Sequence, residues 1–177
     1  NIDQFALDAK RKIGFVSDNP NLLLKLKGIE FLNFIGNVYK VEKNTMIERI
    51  KEYSRLFSME ESLDKKIETY SHGMRQKIII ISTLIHQPEI WILDEPMTGL
   101  DPKSSFLLKK LMSEYASLGK CVIFSTHVLE VAEKLCDNIY IMNKGQIIFE
   151  GSFDDLQKDR EEKKSLEEVF LEMTKDE

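Results

Sequence analysis

Two adjacent acids, Asp94 and Glu95, follow the apolar run Ile90-Trp91-Ile92-Leu93 and precede Pro96. Four apolar residues bounded by Pro88-Glu89 and Pro96 read as a strand buried on both faces of a parallel sheet. Open α/β sheets hold their ligands at the carboxyl ends of such strands. There one carboxylate can hold a hydrated Mg²⁺, and its neighbour can orient a water for attack on a phosphate. A second buried strand is predicted over Cys121-Val122-Ile123-Phe124-Ser125-Thr126, with His127 directly past its end, level with Glu95 if the two strands are parallel neighbours. Upstream, Tyr70-Ser71-His72-Gly73-Met74 opens a helix carrying Ile78, Ile79, Ile80, Ile81, Leu84 and Ile85. Backbone N–H groups, the helix dipole and the Ser71 hydroxyl make its amino end an anion site; a plain N-cap serine is the alternative. Thr98-Gly99-Leu100-Asp101-Pro102 is a tight turn into a helix with proline at its first position, and Asp101 is placed to cap it.

The remaining elements are those that must position these residues. Residues 1–11 read as a connecting segment and 12–16 as a short strand. The turn signal Ser17-Asp18-Asn19-Pro20-Asn21 follows. Apolar residues at helical spacing predict helices over 28–39 and 45–59, the second with Thr45 and Glu48 as a capping box. Leu22, Leu23 and Leu24 precede them as either a docking surface or packing beneath the helices. Helices are also predicted over residues 102–118 and 128–136. Ile139 to Met142 and Gln146 to Phe149 read as a hairpin around Asn143-Lys144-Gly145. A short helix opens at Gly151-Ser152, a mixed charge run over 158–164 reads as a solvated linker, and 165–173 as a closing helix.

A length of 177 residues, 42% apolar and 31% charged, describes one globular domain with a sizeable core, alone or with a small lobe. The net charge of −5 argues against a general nucleic-acid surface. Cys121 and Cys136 form no CxxC or Cys/His cluster and are expected as reduced core residues. No apolar run reaches membrane-spanning length, and the first residues carry no signal-peptide pattern. A membrane role would therefore come through a partner chain.

In order and spacing, Ser71-His72-Gly73-Met74, Asp94-Glu95, Asp101 and His127 resemble the signature motif, Walker B, D-loop and switch histidine of the nucleotide-binding domain of ATP-binding cassette (ABC) transporters. The resemblance implies a P-loop NTPase-like, mostly parallel sheet flanked by helices, with a small α-helical lobe and a C-terminal hairpin and helix tail. It would divide the chain into a lobe over about 22–86, a RecA-like core from 1–21 and 87–136, and a hairpin and tail over 137–177. It further implies ATP and Mg²⁺ as cofactors, with Asp94 holding the metal, Glu95 at the attacking water and His127 on the γ-phosphate. Ser71, His72, Gly73 and Met74 would face the nucleotide of a second, identical or different, domain, and Asp101 would communicate between the two sites.

Asp18 stands where the family carries the Q-loop glutamine, either sensing the metal or forming an Asx turn. The family signature reads LSGGQ; here Tyr70, His72 and Met74 replace the leucine, first glycine and glutamine. This form and the tail resemble exporters of the drug, lantibiotic and polysaccharide type. An ATPase subunit at the cytoplasmic face of the membrane, bound to a transmembrane permease and not to nucleic acid, is the expectation. A soluble cassette ATPase acting on ribosomes or DNA, or a non-hydrolytic regulatory module, is the alternative. The Walker A loop G-x-x-x-x-G-K-[ST] does not occur, since Gly119-Lys120 lacks the upstream glycine and is followed by Cys121. The chain is therefore expected to be a partial domain, inactive alone.

Overall fold

A computed structural model describes residues 6–18, 23–158 and 163–174. Asn19 to Asn21 of the turn signal, Leu22 of the leucine run and 159–162 of the charge run lie outside the described residues. The chain divides into two compact units, 1–125 and 126–177.

The first unit is built on a three-stranded parallel sheet in the order β1 (Ile13–Val16), β2 (Ile90–Leu93), β3 (Cys121–Phe124). Parallel neighbours need a crossover, and helices supply it. The chain passes through α2 (Gly28–Val38), α3 (Lys43–Leu56) and α4 (His72–Ile85) between β1 and β2, and through α5 (Pro102–Ser117) between β2 and β3. The register aligns Gly14, Trp91 and Val122 in one row, and Val16, Leu93 and Phe124 in another. These rows form the inner face. Trp91 is fully buried, its Nε1 donates to Thr83 Oγ1 of α4 at 3.0 Å, and its ring lies 5.1 Å from Tyr115 of α5. A Cβ on Gly14 would stand 2.8 Å from Pro88 Cγ, so α4 and the bend after it press directly onto β1. With α2 and α3 on its other side, α4 is buried along most of its length.

Four details differ from the sequence reading. The segment before β1 holds a helix, α1 (Ala6–Lys12), which a connecting segment does not describe. It was illegible because this helix buries no residue and so has no apolar stripe to show. The predicted Thr45/Glu48 capping box is not used: α3 begins two residues earlier, with the Glu42 carboxylate accepting from Thr45 N at 2.9 Å. Among the described residues of the first unit, helices cover the strands on one face only. Phe15 and Ile123, in the outer row with Ile92, are 55% and 52% exposed, because α4 and α5 both pack on the inner rows. For the same reason Cys121, in another outer row, is exposed rather than a core residue; Cys136 is half-buried and both are free thiols.

The second unit starts with α6 (Leu129–Leu135), then the antiparallel hairpin β4 (Ile139–Asn143) and β5 (Gln146–Gly151), α7 (Phe153–Gln157) and α8 (Leu166–Thr174). Lys144 and Gly145 both have positive φ, the geometry of a two-residue primed turn. Leu166 and Val169 of α8 pack with Ile139 and Ile141 into a separate core. Among the described residues no helix is long and apolar enough to cross a membrane.

His86, the C-cap of α4, ties three elements of the first unit together. Its ring stacks on Tyr39 after α2 at 3.7 Å, and its Nε2 lies 3.3 Å from the Ile13 carbonyl of β1. Burial holds its pKa below the ordinary 6.5. The unfolded chain therefore takes up a proton first as pH falls, so stability is complete above about 6.5 and declines below it. Denaturant unfolding measured from pH 7.5 to 5 should show this loss, and His86→Gln should remove that part of the slope.

Candidate functional site

β2 delivers both acids to the carboxyl edge of the sheet. Asp94 N donates to Val16 O of β1 at 2.8 Å, and Ser125 N donates to Leu93 O at 3.0 Å, so the flanking chains hold the end of β2 from both sides. Ser125 then bridges the two acids: its Oγ donates to Asp94 Oδ1 at 2.7 Å and accepts from Glu95 N at 3.0 Å. The sequence reading had Ser125 only as a strand terminus. A hydroxyl one residue past β3, opposite the first acid in the parallel register, is the signal that would have found it. Asp18 is exposed, two residues past Val16, and thus at the same sheet edge.

Glu95 has φ of 42°. Lys40, Ser58 and Gln87, the other positive-φ residues of this unit without glycine's freedom, each follow a helix C-cap, where the left-handed conformation is routine. Glu95 instead lies between a strand and a turn, where the conformation costs about 1–3 kcal/mol and clusters at functional sites. The turn continues with Thr98 N donating to Glu95 O at 3.1 Å.

A second cluster gathers at the amino end of α4. Ser71 is its N-cap, accepting from Met74 N at 3.2 Å, and the first helical N–H groups point past it. His72 is exposed and Met74 half-buried. Asp101 caps α5: Oδ1 accepts from Ser104 N at 2.9 Å and Oδ2 from Ser104 Oγ at 2.7 Å. Lys77 Nζ lies 2.7 Å from Asp101 Oδ2. These bonds, that of Lys77 foremost, hold the Asp101 carboxyl well below the usual carboxylate range. The capping alternatives for Ser71 and Asp101 are thus both realised, and neither occupies a helix end's remaining N–H groups.

His127 is exposed and belongs to the second unit, where Val128 N donates to Thr126 Oγ1 at 3.0 Å beside it. Among the described residues no three His, Cys, Asp or Glu side chains converge as a complete metal cage. Mg²⁺ needs none, since it keeps waters and binds through one or two carboxylates plus phosphate oxygens. The exposed, Ser125-oriented Asp94 carboxylate fits that requirement.

The comparisons with known proteins agree with this architecture. A profile of the ABC transporter family matches residues 4–98. An uncharacterized ABC transporter ATP-binding protein of Nostoc sp. is 34% identical over 149 residues, which are 83% of this chain and 44% of that protein. The ABC transporter ATP-binding protein NatA of Bacillus subtilis is 30% identical over 165 residues, 93% of this chain and 67% of its own length. A solved structure of an ATP-binding subunit of an ABC transporter superposes with a TM-score of 0.92 at 28% identity, covering 98% of this chain and 73% of that one. The chain belongs to the ABC transporter family, on the side of its ATP-binding subunits. It spans 44% of the Nostoc relative and two thirds of NatA.

Ser125→Ala removes a donor to Asp94 and an acceptor for Glu95 N together. We expect a loss of about 1 kcal/mol in urea unfolding, the net worth of such a hydrogen bond. Ser125→Thr, which keeps the hydroxyl, should recover most of it.

Proposed function

We propose that this chain is the signature- and Walker B-bearing part of an ATP-hydrolysing subunit that powers export through a transmembrane permease at the cytoplasmic face of the membrane. The observation that carries the reading is the acid pair at the sheet edge, bridged by Ser125 and followed by a strained Glu95. Bound Mg²⁺ would supply charge neutralisation for the β- and γ-phosphates. Asp94 holds the position for that ion, its Oδ1 fixed by Ser125. Glu95 orients the attacking water and takes its proton as the water oxygen bonds to the γ-phosphorus and the bond to the ADP oxygen breaks. Its left-handed backbone supports this role, because it turns the second acid away from the strand direction that carries the first. His127 contacts the γ-phosphate, and Asp18 senses the metal.

The G-x-x-x-x-G-K-[ST] loop is not among the 177 residues. We infer that the phosphates of this site are cradled by polypeptide outside them, which accords with the fraction of its relatives that the chain spans. The open outer face of the sheet, with Phe15 and Ile123 exposed, offers apolar area for such a segment. Ser71, His72, Gly73 and Met74 present the amino end of α4 to nucleotide held by a second domain, identical or related, and Asp101 lies between the two sites. The helices over about 22–86 form the lobe that docks the permease; Leu23 and Leu24 before α2 are partly exposed there. Residues 1–21 with 87–136, and 137–177, complete the core and the tail. Export rather than import is favoured by the Ser-His-Gly-Met form of the signature.

In the intact protein Glu95→Gln should lower ATP turnover at least a hundredfold while leaving nucleotide binding within a few fold, as expected for a group acting only in the transition state. Unchanged phosphate release would take Glu95 out of the reaction. The isolated 177-residue chain should bind ATP only weakly, and micromolar affinity in titration calorimetry would contradict the inferred location of the phosphate cradle.

A further inference from the structure

The turn after Glu95 is fixed to the amino end of α4 at three points. A Cβ built on Gly73 would lie 2.5 Å from Gly99 O, so helix and turn meet backbone to backbone. A Cβ on Gly99 would lie 2.2 Å from His72 Cδ2 and 2.9 Å from its Nε2, so the imidazole rests against the Gly99 Cα. One helical turn further along, Lys77 Nζ is 2.7 Å from Asp101 Oδ2.

The ion pair is lopsided. The Lys77 side chain is only 14% exposed, whereas that of Asp101 is 48% exposed. A cap for α5 requires only the two bonds from Ser104. The lysine adds nothing the cap needs, yet a cation this enclosed is costly without its counter-charge. What the pair does add is a link between α4, which carries Ser71, and the turn that carries Asp101.

We propose that Lys77 is a positioning residue, which with the His72 contact on Gly99 locks the turn over 97–101 and the amino end of α4 into one body. Ser71 and Asp101 then meet a second copy's nucleotide in a fixed relation, and occupancy of one site is felt at the other through Asp101. His72 acts here as a clamp, a use of the side chain that a glycine at this position does not have. The proposal rests on the reading that the amino end of α4 faces nucleotide held by a second domain.

The test uses the intact protein with two readouts, ATP turnover and amide exchange over residues 97–105. Lys77→Met should speed exchange in the turn, lower kcat about tenfold, a size typical of coupling between sites, and bring the Hill coefficient for ATP toward one. Affinity for ATP measured by direct binding should stay within about twofold. Lys77→Arg, which keeps charge and reach, should restore exchange and kcat together. Unchanged exchange in Lys77→Met would overturn the lock. Faster exchange with unchanged kcat, or no rescue by Lys77→Arg, would reduce the pair to simple stabilisation and overturn the positioning role. If the unaltered protein hydrolyses no ATP, the site reading fails by itself, and amide exchange still decides whether the lock exists.

Discussion

β2 is hydrogen-bonded to a parallel strand on each side, and the first unit's site residues take their places from that pairing. The bonds continue past the strand, from Asp94 N to Val16 O and from Ser125 N to Leu93 O, so the two acids emerge from a segment that cannot slip. A shift of one residue would turn Trp91 from the inner to the outer face and break its bond to Thr83. Burial of the indole thus fixes which residue of β2 is last, and with it which carboxylate meets Ser125. Topology does the rest. α4 ends just before β2 begins, so it runs back along the sheet, and its 14 residues span about 21 Å at 1.5 Å each. A four-residue strand spans about 13 Å. The amino end of α4 is thereby carried past the carboxyl edge, where Gly73 reaches Gly99.

What could be read from the sequence was what local chemistry determines. The run Ile90 to Leu93, the strands on either side of it, the helices α2 and α3 and the hairpin around Lys144-Gly145 all declare themselves by period and turn residues, and the α/β class followed from their order. Ser71 and Asp101 were legible as caps because capping is a relation over three residues. What stayed hidden depends on distant register. Ser125 is 30 residues from Glu95, and its bridging role exists only because β3 pairs with β2 in one particular alignment. Lys77 carries no local signal, because its partner is across a turn. The strands looked buried on both faces because Ile and Phe do not record which face the helices take.

The backbone at Glu95 shows what this frame is for. A left-handed glutamate persists only where its surroundings hold it. Its N–H is bonded to Ser125 Oγ, its carbonyl accepts from Thr98 N, and Pro96 beside it is buried. The preceding residue is pinned to β1. Such a backbone has little freedom left: its ordering is met in folding, which is the condition for holding a functional group in one place.

α4 carries this logic to the other cluster. A helix on the surface can tilt or fray at its first turn, but α4 is buried from Ile78 to Ile85 and meets the sheet on one side and α2 and α3 on the other. Its amino end is therefore the projecting tip of a core element and cannot relax independently. The turn after Glu95 rests on that tip through Gly73, His72 and Lys77. The acid pair and the amino end of α4 are thus attached to one core from opposite directions: one through the hydrogen bonds of β2, the other through the packing of α4 against Trp91. The hydrogen bond from Trp91 to Thr83 at the centre of the core joins those two routes, and the contacts of Gly73, His72 and Lys77 join them again at the sheet edge.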